Sequence, residues 1–115
     1  MRLARLLPFS AALLGTALML PVNTNAGSDA VFTVKAEGGR FTPQQLQVSA
    51  NQPFQVRVVS AEKTPIEFES FELRRERVVR PGETIIVNMP PLGPGTYKFF
   101  DDFHRDTPQG AIVVR

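Results

Sequence analysis

Cysteine is absent from this 115-residue chain. That excludes disulfide staples, a thiolate nucleophile, and any copper, iron–sulfur or zinc site that depends on Cys. Histidine is almost absent too, with His104 the single example. No serine stands in the strand–turn–helix context of a nucleophile elbow. No stretch beyond residue 26 holds a 3.6-residue apolar period over any length, so no long amphipathic helix is expected. No internal repeat or low-complexity linker is visible. The longest apolar run, "LLPFSAALLGTALML" at 6–20, is interrupted by Pro8 and is shorter than the ~20 residues that span a bilayer.

What is present at the amino end is an order of segments. "MRLAR" is basic, residues 6–20 are apolar, and "PVNTNA" is polar with a small residue at its end. This is the order of a secretory signal peptide, which predicts a leader over 1–26, cleavage after Ala26, and a mature domain over 27–115. Thr24 stands where an A-x-A site would have its first alanine. A retained membrane anchor is the alternative. The leader takes Arg2 and Arg5 with it. Of 13 Lys+Arg, 11 then remain against 11 Asp+Glu. The basic isoelectric point of the whole chain therefore says nothing about nucleic acid. No basic stripe with interleaved aromatics is present, and no nucleic-acid partner is expected. The one basic cluster, "RRERVVR" (74–80), lies close to Glu67, Glu69 and Glu72 and reads as a solvated face.

The rest of the chain reads as β. Runs at 31–36, 45–50, 54–60, 65–71, 75–79, 84–89, 96–100 and 111–114 are rich in β-branched and aromatic residues and end at Gly, Pro or Asn clusters. Short runs with turn signals at roughly 8–12-residue spacing indicate an all-β sandwich or barrel. Phe54, Val56 and Val58 alternate onto one face. Phe41, Met89 and Tyr97 read as core.

Alternation also marks the residues that could carry chemistry. In "TYKFFDD", Tyr97, Phe99 and Asp101 share one face, which aims a carboxylate inward at the end of a core strand. Such a group is costly unless paired, hydrated or bound to a cation. His104 follows three positions later. In "PIEFES", Ile66 and Phe68 take the core face, so Glu67 and Glu69 share the other. Where the two segments meet, Glu67, Glu69, Asp101, Asp102 and His104 are expected to converge as metal ligands. Pairing of Glu67 and Glu69 with Arg74, Arg75 or Arg77, and a turn role for Asp101, are the alternatives. Two carboxylates could also serve glycosidic acid–base work, but about 89 residues leave little room for a sugar cleft.

The order of "FTPQQLQVSANQPFQVRVV" (41–59), "PIEFESFEL" (65–73), "VVRPGETIIV" (78–87) and "GPGTYKFFDDFHRDTPQGAIVV" (93–114) resembles the cupredoxin-like domain family. The resemblance implies a Greek-key β-sandwich of about seven or eight strands. In copper-binding members a His precedes a core Phe, where this chain has Glu67 before Phe68. A Cys ends the Gly-Thr-Tyr pattern, where this chain has Asp101. A second His follows, matched by His104, and the axial Met has no counterpart among 106–109. The "EFES" and "DDFH" segments look like the EfeO-type members, which belong to periplasmic systems feeding iron to a membrane permease. That likeness implies an exported, periplasmic protein that holds an iron or copper ion and works with an iron-permease complex in ferrous oxidation or iron transfer. A copper-handling redox accessory protein and a metal-free interaction module are the alternatives.

Overall fold

The computed structural model describes residues 29–115, together with isolated positions 4, 12, 15 and 16. Apart from those positions, the expected leader lies outside the described residues. Nine strands run in chain order: β1 (Ala30–Glu37), β2 (Arg40–Thr42), β3 (Gln45–Val48), β4 (Phe54–Ser60), β5 (Ile66–Ser70), β6 (Arg75–Val79), β7 (Thr84–Met89), β8 (Gly95–Asp101) and β9 (Gly110–Val114). There is no helix among the described residues. The strands form a four-stranded sheet, β2-β1-β4-β7, and a five-stranded sheet, β3-β9-β8-β5-β6.

Eight of these strands fall on the runs read from the sequence. β2 is the addition that takes the count to nine. Gly38 and Gly39 both have positive φ (61° and 74°) and pair Glu37 with Arg40 across a two-residue turn. Such hairpin turns need positive φ at both central positions, which glycine adopts without steric cost. The Gly-Gly pair therefore reverses the chain instead of only ending a strand.

The core follows the alternation. Val34 and Ala36, Phe54, Val56 and Val58, and Ile85, Val87 and Met89 face inward from the first sheet. Ile66, Phe68, Phe99 and Ile112 meet them from the second. Phe41, Phe68 and Phe99 stack in a cluster, with centroids 5.1 Å apart for Phe41–Phe99 and for Phe68–Phe99. The Phe99 ring lies over Gly110, its partner on β9. A Cβ there would come within 2.1 Å of the ring, so only glycine fits. Tyr97 departs from the core reading. It is half-buried, and its hydroxyl donates to the Gly93 carbonyl at 3.0 Å. A phenol placed at the margin keeps its ring on the core and its oxygen satisfied.

The open edges of the two sheets meet at β6 and β7, which are edge strands. Arg75 donates from Nε to the Asn88 carbonyl (2.9 Å), and Arg77 from Nη1 to that of Ile86 (3.4 Å). Two arginines thus cover backbone acceptors that an edge strand would leave unpaired.

A candidate metal centre on the outer face of β5 and β6

Strand register decides which side chains meet. On β5 and β6, Phe68 pairs with Arg77, Glu67 with Val78, and Glu69 with Glu76. Cross-strand partners lie on the same face. Phe68 is fully buried, so Arg77, and with it Arg75, leans toward the other sheet. Glu67, Glu69 and Glu76 occupy the opposite face. Arg75 and Arg77 spend their guanidinium groups on carbonyls of the β7 edge, and Arg74, in the turn, makes no ion pair with the glutamates.

The turn between the strands sets this register. Ser70 is buried and its hydroxyl accepts from the Leu73 amide (3.3 Å), while Arg74 donates from its backbone to the Phe71 carbonyl (3.2 Å) and takes a left-handed φ of 53°. A four-residue connection built on a tight turn leaves Ser70 opposite Arg75 and Glu69 opposite Glu76.

The three glutamates offer oxygens that all lie within 4.8 Å of one another. Oxygens held at roughly 2.0–2.6 Å by one cation have separations in this range. Among the described residues, no Lys or Arg nitrogen comes within 4.0 Å of any of these carboxylates. Like charges directly opposite on neighbouring strands destabilise a sheet. Glu67 bears most of this: it is 7% exposed. Burial is the main reason its carboxyl is pushed up from 4.5 to about 7. A hydrogen bond with Glu69 and the charges of Glu76, Glu69 and Asp102 add to that rise. Near neutral pH the group is therefore still partly protonated, and a cation would displace that proton. A groove of about 330 Å³, lined by Glu69, Ser70, Phe71, Arg74, Arg75 and Glu76, opens at Glu69 and Glu76.

The other candidates sit differently. β5 and β8 are antiparallel neighbours that pair Phe68 with Asp101 and Glu69 with Phe100. The two segments meet as expected, but Asp101 shares the face of Phe68, not that of Glu67. It is 7% exposed and fully engaged. Its Oδ1 accepts from the Glu67 amide (3.0 Å) and the Phe103 amide (3.0 Å), and its Oδ2 meets Nδ1 of His104 at 2.7 Å. His104 is half-exposed, and its backbone closes the turn by donating to the Asp101 carbonyl (3.1 Å). Asp102 is tied to the Arg105 side chain, whose guanidinium lies over the rings of Phe100 (4.8 Å) and Phe71 (5.3 Å). The five residues expected to converge thus separate into an outer group, Glu67 and Glu69 with Glu76, and an inner pair, Asp101 and His104.

Alternation explains the split. Across the β5–β8 pair, a residue facing Asp101 must share parity with Phe68. Those residues are Phe68, its direct partner, and Ile66, which lines a small cavity of about 10 Å³ with Asp101, Glu62 and Thr107. Ile66 offers no donor atom, Asp101 is occupied by three hydrogen bonds, Glu62 already accepts from the Gly39 amide (2.7 Å), and the space is near the size of one water. A metal at this inner position does not fit the residues present. The outer carboxylates do fit one, since anionic oxygens suit a hard or borderline cation.

Glu76 was not among the residues expected from the sequence. It sits inside "RRER" and reads there as one acid in a basic cluster. Its signal is symmetry about the turn at 71–74, since Glu69 and Glu76 are equally far from it.

The chain matches the model of the cupredoxin-like domain over residues 10–114, and it belongs to that family. An uncharacterized protein of Rickettsia prowazekii is 41% identical over 75 residues, and the match covers 65% of this chain and 60% of that protein's length. Among solved structures, auracyanin A, a blue copper protein of Chloroflexus aurantiacus, superposes with a TM-score of 0.64 at 15% identity, covering 76% of this chain and 100% of its own. The metal-binding domain of the Cu(I)-exporting P-type ATPase CopA of Streptococcus pneumoniae D39 also gives 0.64 at 15% identity, covering 74% and 84%. A purple cupredoxin of Nitrosopumilus maritimus gives 0.55 at 16% identity, covering 76% and 100%. At these identities the likeness is one of fold.

Proposed function

We propose that this cupredoxin-like protein binds Fe(II) or Cu(II) through Glu67, Glu69 and Glu76, and that it serves iron uptake by assisting ferrous oxidation or passing iron to a membrane permease. The observation that carries this reading is the convergence of three carboxylates within 4.8 Å with no Lys or Arg nitrogen of the described residues within 4.0 Å of them. Mutual repulsion on a sheet face is a standing cost that a bound cation removes.

The donor set points to the class of ion. Carboxylate oxygens suit Fe, Mn or Cu(II) better than Cu(I), which prefers sulfur ligands. Anionic oxygens stabilise Fe(III) more than Fe(II), so iron held here gives up one electron more readily. Dioxygen or Cu(II) is the class of acceptor. Cu(II), when bound, supplies a one-electron acceptor and is the second reading, because the same oxygen donors suit it. Export to the periplasm, the EfeO-type assignment and the permease partner rest on the basic–apolar–polar start of the chain and on the "EFES" and "DDFH" segments.

The test is titration of the purified protein with Fe(II) under argon and with Cu(II), followed by calorimetry, for wild type and Glu67→Gln/Glu69→Gln. One equivalent bound by wild type and none by the double variant is the expected result. Admission of air to the iron sample then gives oxygen uptake in wild type alone. Equal heats from both proteins, or none from either, would overturn the reading, and tight copper binding without iron binding would move it to copper handling.

A further inference from the structure

We propose that Asp101 is a positioning residue and not a ligand: its carboxylate holds His104 as the Nδ1–H tautomer and pins the backbone of Glu67, so that one buried group ties the loop after β8 to the strand that carries Glu67 and Glu69. The proposal rests on the metal reading above for its purpose, but its geometry is independent of it.

An ionised carboxylate is acceptor-only and has room for several hydrogen bonds at once. Asp101 is buried and accepts three bonds from three different residues. Two come from backbone amides, which donate whatever the pH. The Phe103 amide, two residues on, makes the local turn that aspartate favours. The Glu67 amide lies 34 residues away and ties the start of β5 to the end of β8. That bond fixes the Glu67 backbone while the Glu67 side chain leaves on the other face.

The third bond settles the imidazole. A neutral ring whose Nδ1 lies 2.7 Å from an ionised carboxylate oxygen carries its proton on Nδ1. Nε2 is then left with its lone pair. Metal-binding histidines commonly donate their second ring nitrogen to a carboxylate in this way, which fixes tautomer and orientation. The backbone at His104 is held as well, because its carbonyl accepts from the Thr107 hydroxyl (2.6 Å) and the Thr107 amide (3.1 Å). Nε2 is therefore the unprotonated nitrogen of a half-exposed ring in the loop that follows β8.

Asp101→Asn tests this without removing the amide acceptor. The asparagine oxygen can still accept from Glu67 and Phe103, but its NH₂ faces Nδ1 as a donor and demands the opposite tautomer. The measurement is ¹⁵N NMR of the His104 ring in metal-free protein at about pH 8, above the ordinary histidine range. The expected result is Nδ1–H in wild type and Nε2–H in the folded Asn variant. An Nε2–H ring in wild type, or no change of tautomer in the variant, would overturn the proposal. A second arm titrates the same variant with Fe(II). A positioning role keeps the stoichiometry and lowers affinity by less than the loss in Glu67→Gln. Equal loss in both would make Asp101 a ligand and overturn it. Absence of binding by wild type would sink the metal reading and leave the tautomer result to decide this one.

Discussion

The outer and inner acids of this protein are a controlled comparison. Glu67 and Asp101 are equally buried, lie on adjacent strands, and are joined by a hydrogen bond from the amide of one to the carboxylate of the other. Asp101 collects two amides and an imidazole. Glu67 faces two more glutamates and no basic side chain among the described residues. A buried acid with its donors supplied is scaffold, because removing it leaves those donors unpaired. A buried acid surrounded by acids is a liability in the metal-free chain, and the geometry that makes it so also suits a cation. The contrast separates what holds the loop from what the loop and hairpin present.

The largest effect expected is from Asp101→Ala. It strands the Glu67 and Phe103 amides and releases His104, so it should destabilise the fold by on the order of 3 kcal/mol. Urea unfolding of the metal-free variant reads this directly, and a loss within 1 kcal/mol of zero would erase the distinction between the two sites.

Glu67→Gln should do the reverse in one pH range. The folded-state carboxyl of Glu67 titrates near 7, above its unfolded value of 4.5. The folded chain therefore binds this proton more tightly than the unfolded chain. The resulting stabilisation is fully present below the unfolded value and is lost as pH rises through about 7. Metal-free wild type should show a falling Tm between about pH 5 and pH 8, flattened in Glu67→Gln. Added Fe(II) or Cu(II) should restore the wild-type Tm at the upper end of that range and leave the variant unmoved. Parallel Tm profiles for the two proteins would mean that Glu67 is not the group under strain.

Much of this arrangement is legible in the sequence, and its gaps have specific causes. Period-two alternation places Phe54, Val56 and Val58 inside, and it also places Glu67 and Glu69 together on the face away from Phe68. Cross-strand register is another matter. Nothing in "PIEFES" or "KFFDD" says that Phe68 will lie opposite Asp101 and not one residue away, and a shift by one residue moves every side chain to the other face. Aligning Glu67 with the histidine of copper-binding relatives puts it on the side of Asp101, whereas the residues on that side are Phe68 and Ile66. Glu76 was hidden by its company, because a charge run read as one face conceals that alternate members face opposite ways. The arginines of "RRER" cover the edge of β7, and the glutamate between them faces the candidate metal.

The smallest effect is also the sharpest test of that last point. Glu69 and Glu76 are direct cross-strand partners. Glu76→Gln removes a like-charge pair at an exposed position and should stabilise the metal-free protein by about 0.5 kcal/mol. It should also weaken metal binding, since one of three anionic donors becomes a neutral amide. A gain in stability coupled to a loss of affinity is what a ligand set held under mutual repulsion requires. If Glu76 were only a solvated residue of a basic face, its removal beside Arg75 and Arg77 would instead cost a little stability, because an attractive charge would be lost, and metal affinity would not change. Measured by urea unfolding and calorimetry on the same variant, the two signs move together under one account and part under the other.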